Sequence, residues 1–116
     1  MDDSQAVELL RAIREHSSME LSSIREAGEH GADAGWPGFT YTSDGADFFD
    51  ENEYLLTQIL QQDADDYGFD NVGAFVASFA RADMTDTMPG YKCLVAWYAL
   101  EIAGRWLEDR RYNRSH

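Results

Sequence analysis

Lysine and arginine are absent from Glu26 to Ala80, a run of 55 residues that carries 12 aspartates and glutamates. All nine basic residues lie outside it, so the charge is segregated and not merely acidic. A surface of one sign attracts cationic partners and repels nucleic acid, anionic membrane and phosphorylated substrates. Direct binding to nucleic acid or membrane is therefore not expected. Cysteine is nearly absent too. The lone Cys93 cannot close an intrachain disulfide and excludes a cysteine-rich zinc site, which fits a reducing compartment. No run approaches the length of a membrane span, and the opening MDDSQAVELLRAIREH has no apolar signal core. The expectation is a soluble intracellular protein.

What is present is enough for a core. The 116 residues are 44% hydrophobic and 13% aromatic, too apolar for a disordered acidic tail. One domain over 1–116 is expected. The formal net charge is −13, with a pI near 4.3. Solubility is the plain explanation of that imbalance, and a cationic partner is the sharper one.

Helical spacing recurs along the chain. Residues 4–15 read as a helix with Val7, Leu10 and Arg14 on one stripe, Leu9 and Ile13 beside it, and Asp3 or Ser4 as cap. Ser17 and Glu20 fit a capping box for a second helix over about 18–27, with Leu21 and Ile24 continuing the stripe. Residues 28–40, GEHGADAGWPGFT, hold four of nine glycines and one of two prolines and read as a loop, with a very short strand near 39–41. A long helix then starts at Ser43 or Asp44. Its apolar stripe runs through Phe48, Phe49, Asn52, Leu55, Leu56, Ile59, Leu60 and Tyr67, and Gly68 suits a left-handed C-terminal cap. Asp70 or Asn71 caps a short helix bearing Val72, Phe75, Val76 and Phe79. The last helix spans about 89–110, with Pro89 in its first turn. It is apolar almost all round, so it belongs at the centre. The expected fold is an all-α bundle of about five helices around a buried C-terminal helix.

Catalytic and metal patterns fail when tested. Asp63, Asp65 and Gly68 match part of a calcium loop, but the fifth position is Tyr67 and the twelfth is Ala74, so the bidentate glutamate is missing. His16, His30 and His116 have no partners at metal-ligand spacing. Cys93 lies on an aromatic face, as a structural thiol does. Carboxylate pairs drawn among 22 acids carry no information. No enzyme activity, cofactor or metal is expected. Trp36, in Gly35-Trp36-Pro37-Gly38, reads as a core plug, with a partner anchor as the alternative. Glu101 reads as an i,i+4 partner of Arg105. Arg105, Arg110, Arg111 and Arg114 read as complements to the last helix's dipole and to acids.

Tyr41, Ser43, Asp44, Phe48, Trp97 and Glu101, within Tyr41-Thr42-Ser43-Asp44, Phe48-Phe49 and Ala96-Trp97-Tyr98-Ala99-Leu100-Glu101, carry a resemblance. The stretch from Phe39 to Leu107 resembles small acidic proteins of phages and mobile elements and, more loosely, the acidic anti-CRISPR inhibitors. That resemblance implies an inhibitor in the bacterial host cytoplasm. Its implied partner is a nucleic-acid-binding protein, a CRISPR effector subunit or its nuclease, whose DNA access it blocks. It carries over no active residues. On charge alone, the acidic face of the long helix is the candidate contact surface: Asp44, Asp47, Asp50, Glu51, Asp65, Asp66 and Asp70. The alternatives are an acidic phage interaction module with no inhibitory role and an inhibitor of a restriction system.

Overall fold

The computed structural model describes residues 1–17, 20–30, 43–78 and 90–115. Six helices occupy them: α1 (Asp3–Ser17), α2 (Leu21–His30), α3 (Ser43–Glu51), α4 (Glu53–Asp66), α5 (Val72–Ala77) and α6 (Tyr91–Ser115). They form an all-α bundle. The expected strand near 39–41, Trp36, Phe79 and Pro89 lie outside the described residues.

The bundle is organised around α6. Eight consecutive residues, Cys93 to Leu100, are buried, so this stretch of the helix has no solvent face. Its closest packing is with α2, then α3, then α1. Ala96, Ala99 and Ala103 lie fully inside, and side chains this small let neighbouring helices approach closely. Ile24 of α2, Phe48 of α3, and Leu9 and Ile13 of α1 complete the shell with no exposure at all. Arg25 and Glu108, 3.6 Å apart, tie α2 to α6. Asp3 ties α1 to the far end of α6, accepting from Trp106 Nε1 at 3.2 Å and pairing with Arg110.

Several helix ends follow local chemistry. α4 closes with a Schellman motif: Phe69 N–H donates to the Ala64 carbonyl and Gly68 N–H to that of Asp65, with Gly68 at φ 79°. Asn71 caps α5, its side chain accepting from Ala74 N–H at 2.7 Å. α1 differs from expectation. Asp2, not Asp3 or Ser4, forms the cap, through a reciprocal box in which Asp2 Oδ1 accepts from Gln5 N–H and Gln5 Oε1 accepts from Asp2 N–H. Ser17 belongs to the last turn of α1, where its hydroxyl donates to the Ile13 carbonyl. α2 therefore begins later than a Ser17 cap would place it, and it runs through Gly28 to His30, residues expected in a loop.

The larger correction is at Asn52. The helix expected to run unbroken from about 44 to 67 is two helices. Asn52 has φ −127° and ψ 25°, outside the helical region, and its side-chain Nδ2 donates to the Phe48 carbonyl at 3.0 Å. That short amide competes with the backbone ladder for its acceptor, which is why asparagine is weak inside helices. Three residues counted on apolar stripes are also outside the core: Val7 is 60% exposed, Leu21 40% and Tyr67 67%. On α1 the buried residues are Ala6, Leu9, Leu10, Ala12 and Ile13, so Leu10, Leu9 and Ile13 are inside as expected while Val7 and Arg14 are exposed.

Candidate acidic binding surface

Burial of Phe48 and Phe49 fixes how α3 lies. With those rings in the core, Asp47, Asp50 and Glu51 are exposed. They stand at i, i+3 and i+4, the spacing that puts side chains about 5–6 Å apart on one helix face. Asp44 falls in the first turn of the same helix. Glu53, exposed at the start of α4, follows across the break. Asp65 and Asp66 are exposed in the last turn of α4, and Asp70 is exposed between α4 and α5. The 14 residues of α4 separate the two sets by about 20 Å at a rise of about 1.5 Å per residue. The seven candidate acids are thus two groups, one at each end of α4, and not one continuous stripe.

Folding also brings a lysine and a histidine to the first group. Lys92 Nζ of α6 donates to Asp50 Oδ1 at 2.6 Å and sits 5.9 Å from the centre of the Phe49 ring. The Asp50 hydrogen bond, then the charges of Asp50, Glu53 and Asp47, hold the Lys92 ammonium above its ordinary pKa. His16, at the end of α1, reaches Glu51 Oε2 with Nδ1 at 3.3 Å and rests edge-on against Phe48 at 5.7 Å. The sequence window without lysine or arginine is therefore not a surface without them. Neither contact was visible in the sequence, because the partners are 42 and 35 residues apart.

Asp63, Tyr98, Cys93 and Glu101 take part in packing and pairing within the bundle. Asp63, half-buried, accepts a short hydrogen bond from the Tyr98 hydroxyl. Burial first, and then that carboxylate, push the Tyr98 phenol far above its ordinary pKa. Asp63 and Asp65 both lie within α4, so the 63–74 segment does not open into a calcium loop. Burial raises the Cys93 thiol, which suits packing and not nucleophilic attack. Glu101 meets Arg105 at 3.0 Å in the expected i,i+4 pair. Among the described residues no three His, Cys, Asp or Glu side chains are placed to hold a metal ion. Among the same residues no helix is long and apolar enough to cross a membrane.

Compared with protein families, with curated proteins and with solved structures, the chain shows no match.

Proposed function

We propose that this protein works by binding, as an inhibitor of the anti-CRISPR type. In this reading its acidic surface occupies a lysine- and arginine-lined channel of a CRISPR effector or its nuclease and keeps DNA out. The observation that carries the reading is the α3–α4 group of Asp47, Asp50, Glu51 and Glu53, all exposed above the buried Phe48 and Phe49. Carboxylates on neighbouring helical positions repeat at about 5–6 Å. Phosphates along one DNA strand repeat on a similar scale of several Å, and such acids can release the counterions of a basic channel much as phosphates do. The choice of a CRISPR target rests on the sequence resemblance, and the demand for a basic partner rests on the surface.

The test is charge reversal combined with DNA competition, on a target recovered from cells with an active CRISPR system. Reversal of Asp47, Asp50 and Glu51 to lysine should weaken binding strongly, with the largest loss at low salt. Lys92→Gln, which uncovers Asp50, should strengthen it. The control set is Glu8, Glu20 and Asp109, all exposed. Asp2 and Asp3 are unsuitable as controls because they cap α1 and hold Arg110. Equal losses from the two sets, or DNA and protein sitting on the target with neither altering the other's affinity, would refute the mechanism. The second reading is an interaction module that is acidic for solubility. It is favoured by Asp50 already having its own cation in Lys92.

A further inference from the structure

A second feature lies at the opposite end of α4. A groove of about 490 Å³ opens between α4, α5 and α6. Its walls are the rings of Tyr67, Phe69, Phe75, Trp97 and Tyr98. The rings are ordered against one another. Tyr67 stacks on Phe75 at 5.8 Å and 23°, Phe69 leans on Phe75 at 5.2 Å, and Tyr98 meets Phe75 edge-on at 5.4 Å. Phe75 is buried, 3% exposed, whereas Tyr67 is 67% exposed. One face of the Tyr67 ring is therefore fixed by stacking while most of the residue remains open to solvent.

Carboxylates outnumber cations among the described residues in and beside the groove. Asp66 precedes Tyr67 and Asp70 follows Phe69, and both are exposed. Asp63 lies beneath Tyr98 as its acceptor. Among the described lining residues the cation is Arg105, and Glu101 meets it at 3.0 Å. Three carboxylates (Asp63, Asp66 and Asp70) remain beyond that pair. Aromatic faces attract cations, and a guanidinium suits them best because it is flat, weakly hydrated and able to stack while its edge meets carboxylates.

We propose that this groove is a pocket for an arginine side chain of the partner protein, with Tyr67 as its stacking platform and Asp66 and Asp70, the exposed sequence neighbours of Tyr67 and Phe69, as acceptors for its edge. The proposal rests on the reading that the target is a basic protein, and it names the side chain that this end of α4 takes. A ring pocket with nearby carboxylates selects guanidinium over an uncharged isostere. The α3 group offers charge without such a pocket and steers the encounter.

The probe is the capped tripeptide acetyl-Gly-Arg-Gly-amide, titrated into isotopically labelled protein and followed by NMR. The same tripeptide with citrulline in place of arginine keeps the shape and removes the charge. Saturable shifts should gather at Tyr67, Phe69, Asp70 and the Trp97 indole. The citrulline peptide should bind roughly ten-fold more weakly, the scale of a cation–π contact together with a carboxylate partner. Tyr67→Ser, at an exposed position, should weaken arginine binding several-fold and Tyr67→Phe should restore it. Reversal of Asp47, Asp50 and Glu51 should leave it nearly unchanged. Equal binding of the two peptides, unchanged binding by Tyr67→Ser, or shifts that follow the α3 acids would each overturn the proposal. The titration uses neither target nor DNA. Its failure leaves the charge-reversal result standing, and failure of that result leaves the titration standing.

Discussion

Replacing Tyr98 by phenylalanine removes one hydroxyl and keeps the ring that packs edge-on against Phe75. Tyr98 is 7% exposed and donates to Asp63 across the α4–α6 boundary. A hydrogen bond to a charged acceptor contributes about 1.5–3 kcal/mol, and Asp63 is only half-buried, so water makes up part of the loss. The expected cost near neutral pH is about 1–3 kcal/mol.

At alkaline pH the comparison turns round. The folded phenol holds its proton above the ordinary range, through burial and then through Asp63. The unfolded phenol ionises from about pH 10. Above that point the unfolded chain has released a proton that the native state keeps. The stabilisation is thus fully present below about pH 10 and is lost above it, at about 1.4 kcal/mol per pH unit for one proton. The Tyr98→Phe variant has no such proton. Its deficit should close within roughly one to two pH units above pH 10. Tyr91 and Cys93 are also raised by burial, but they titrate alike in both proteins and cancel in the difference. Urea unfolding followed by circular dichroism, from about pH 7 to about pH 11, measures the gap. Tyr54→Phe, at a residue 78% exposed, is the control and should change nothing. A Tyr98→Phe deficit that stays constant across the alkaline limb would refute the reasoning.

Two further outcomes follow from the core and from a cap. Trp97→Ala, at a residue 8% exposed on the central helix, should cost about 3–5 kcal/mol through lost burial and a cavity, and an unchanged denaturation midpoint would contradict its placement. Gly68→Ala meets no atom within 4 Å of the added Cβ, so its cost is backbone strain at φ 79° alone, about 1 kcal/mol by thermal unfolding.

The centre of the fold was legible because α6 has apolar residues on nearly every side, a pattern that only burial on all sides accommodates. The ends of α4 and α5 were legible for the same kind of local reason: Gly68 and Asn71 act on the backbone within a few residues. The break at Asn52 is local as well, yet periodicity concealed it, since Asn52 falls on the stripe that continues through Leu55 and Leu56. Val7, Leu21 and Tyr67 were misplaced because a helical stripe gives a face only to within about one residue. The contacts of Lys92 with Asp50, His16 with Glu51 and Tyr98 with Asp63 were beyond any local pattern. They depend on how α1 and α6 dock against α3 and α4.

Those docking contacts bear on why the protein is acidic. Folding pairs Lys92 with Asp50, Arg105 with Glu101, Arg110 with Asp3 and Arg25 with Glu108. Among the described residues none is paired with Asp65 or Asp66, in the last turn of α4, or with Asp70, which precedes the cap of α5. The last turn of α4 carries the negative pole of the helix, so carboxylates there are repelled by the backbone as well as by one another. Acids chosen only for solubility would serve equally well elsewhere on the surface, without that penalty. Two uncompensated acids at the least favourable end of a helix, Asp65 and Asp66, beside an exposed tyrosine stacked on a buried phenylalanine, are costly for a folded monomer. They become favourable when a cation arrives. Under the proposed reading the same residues destabilise the free protein slightly and strengthen its complex, so their reversal should raise the stability of the free protein while weakening binding.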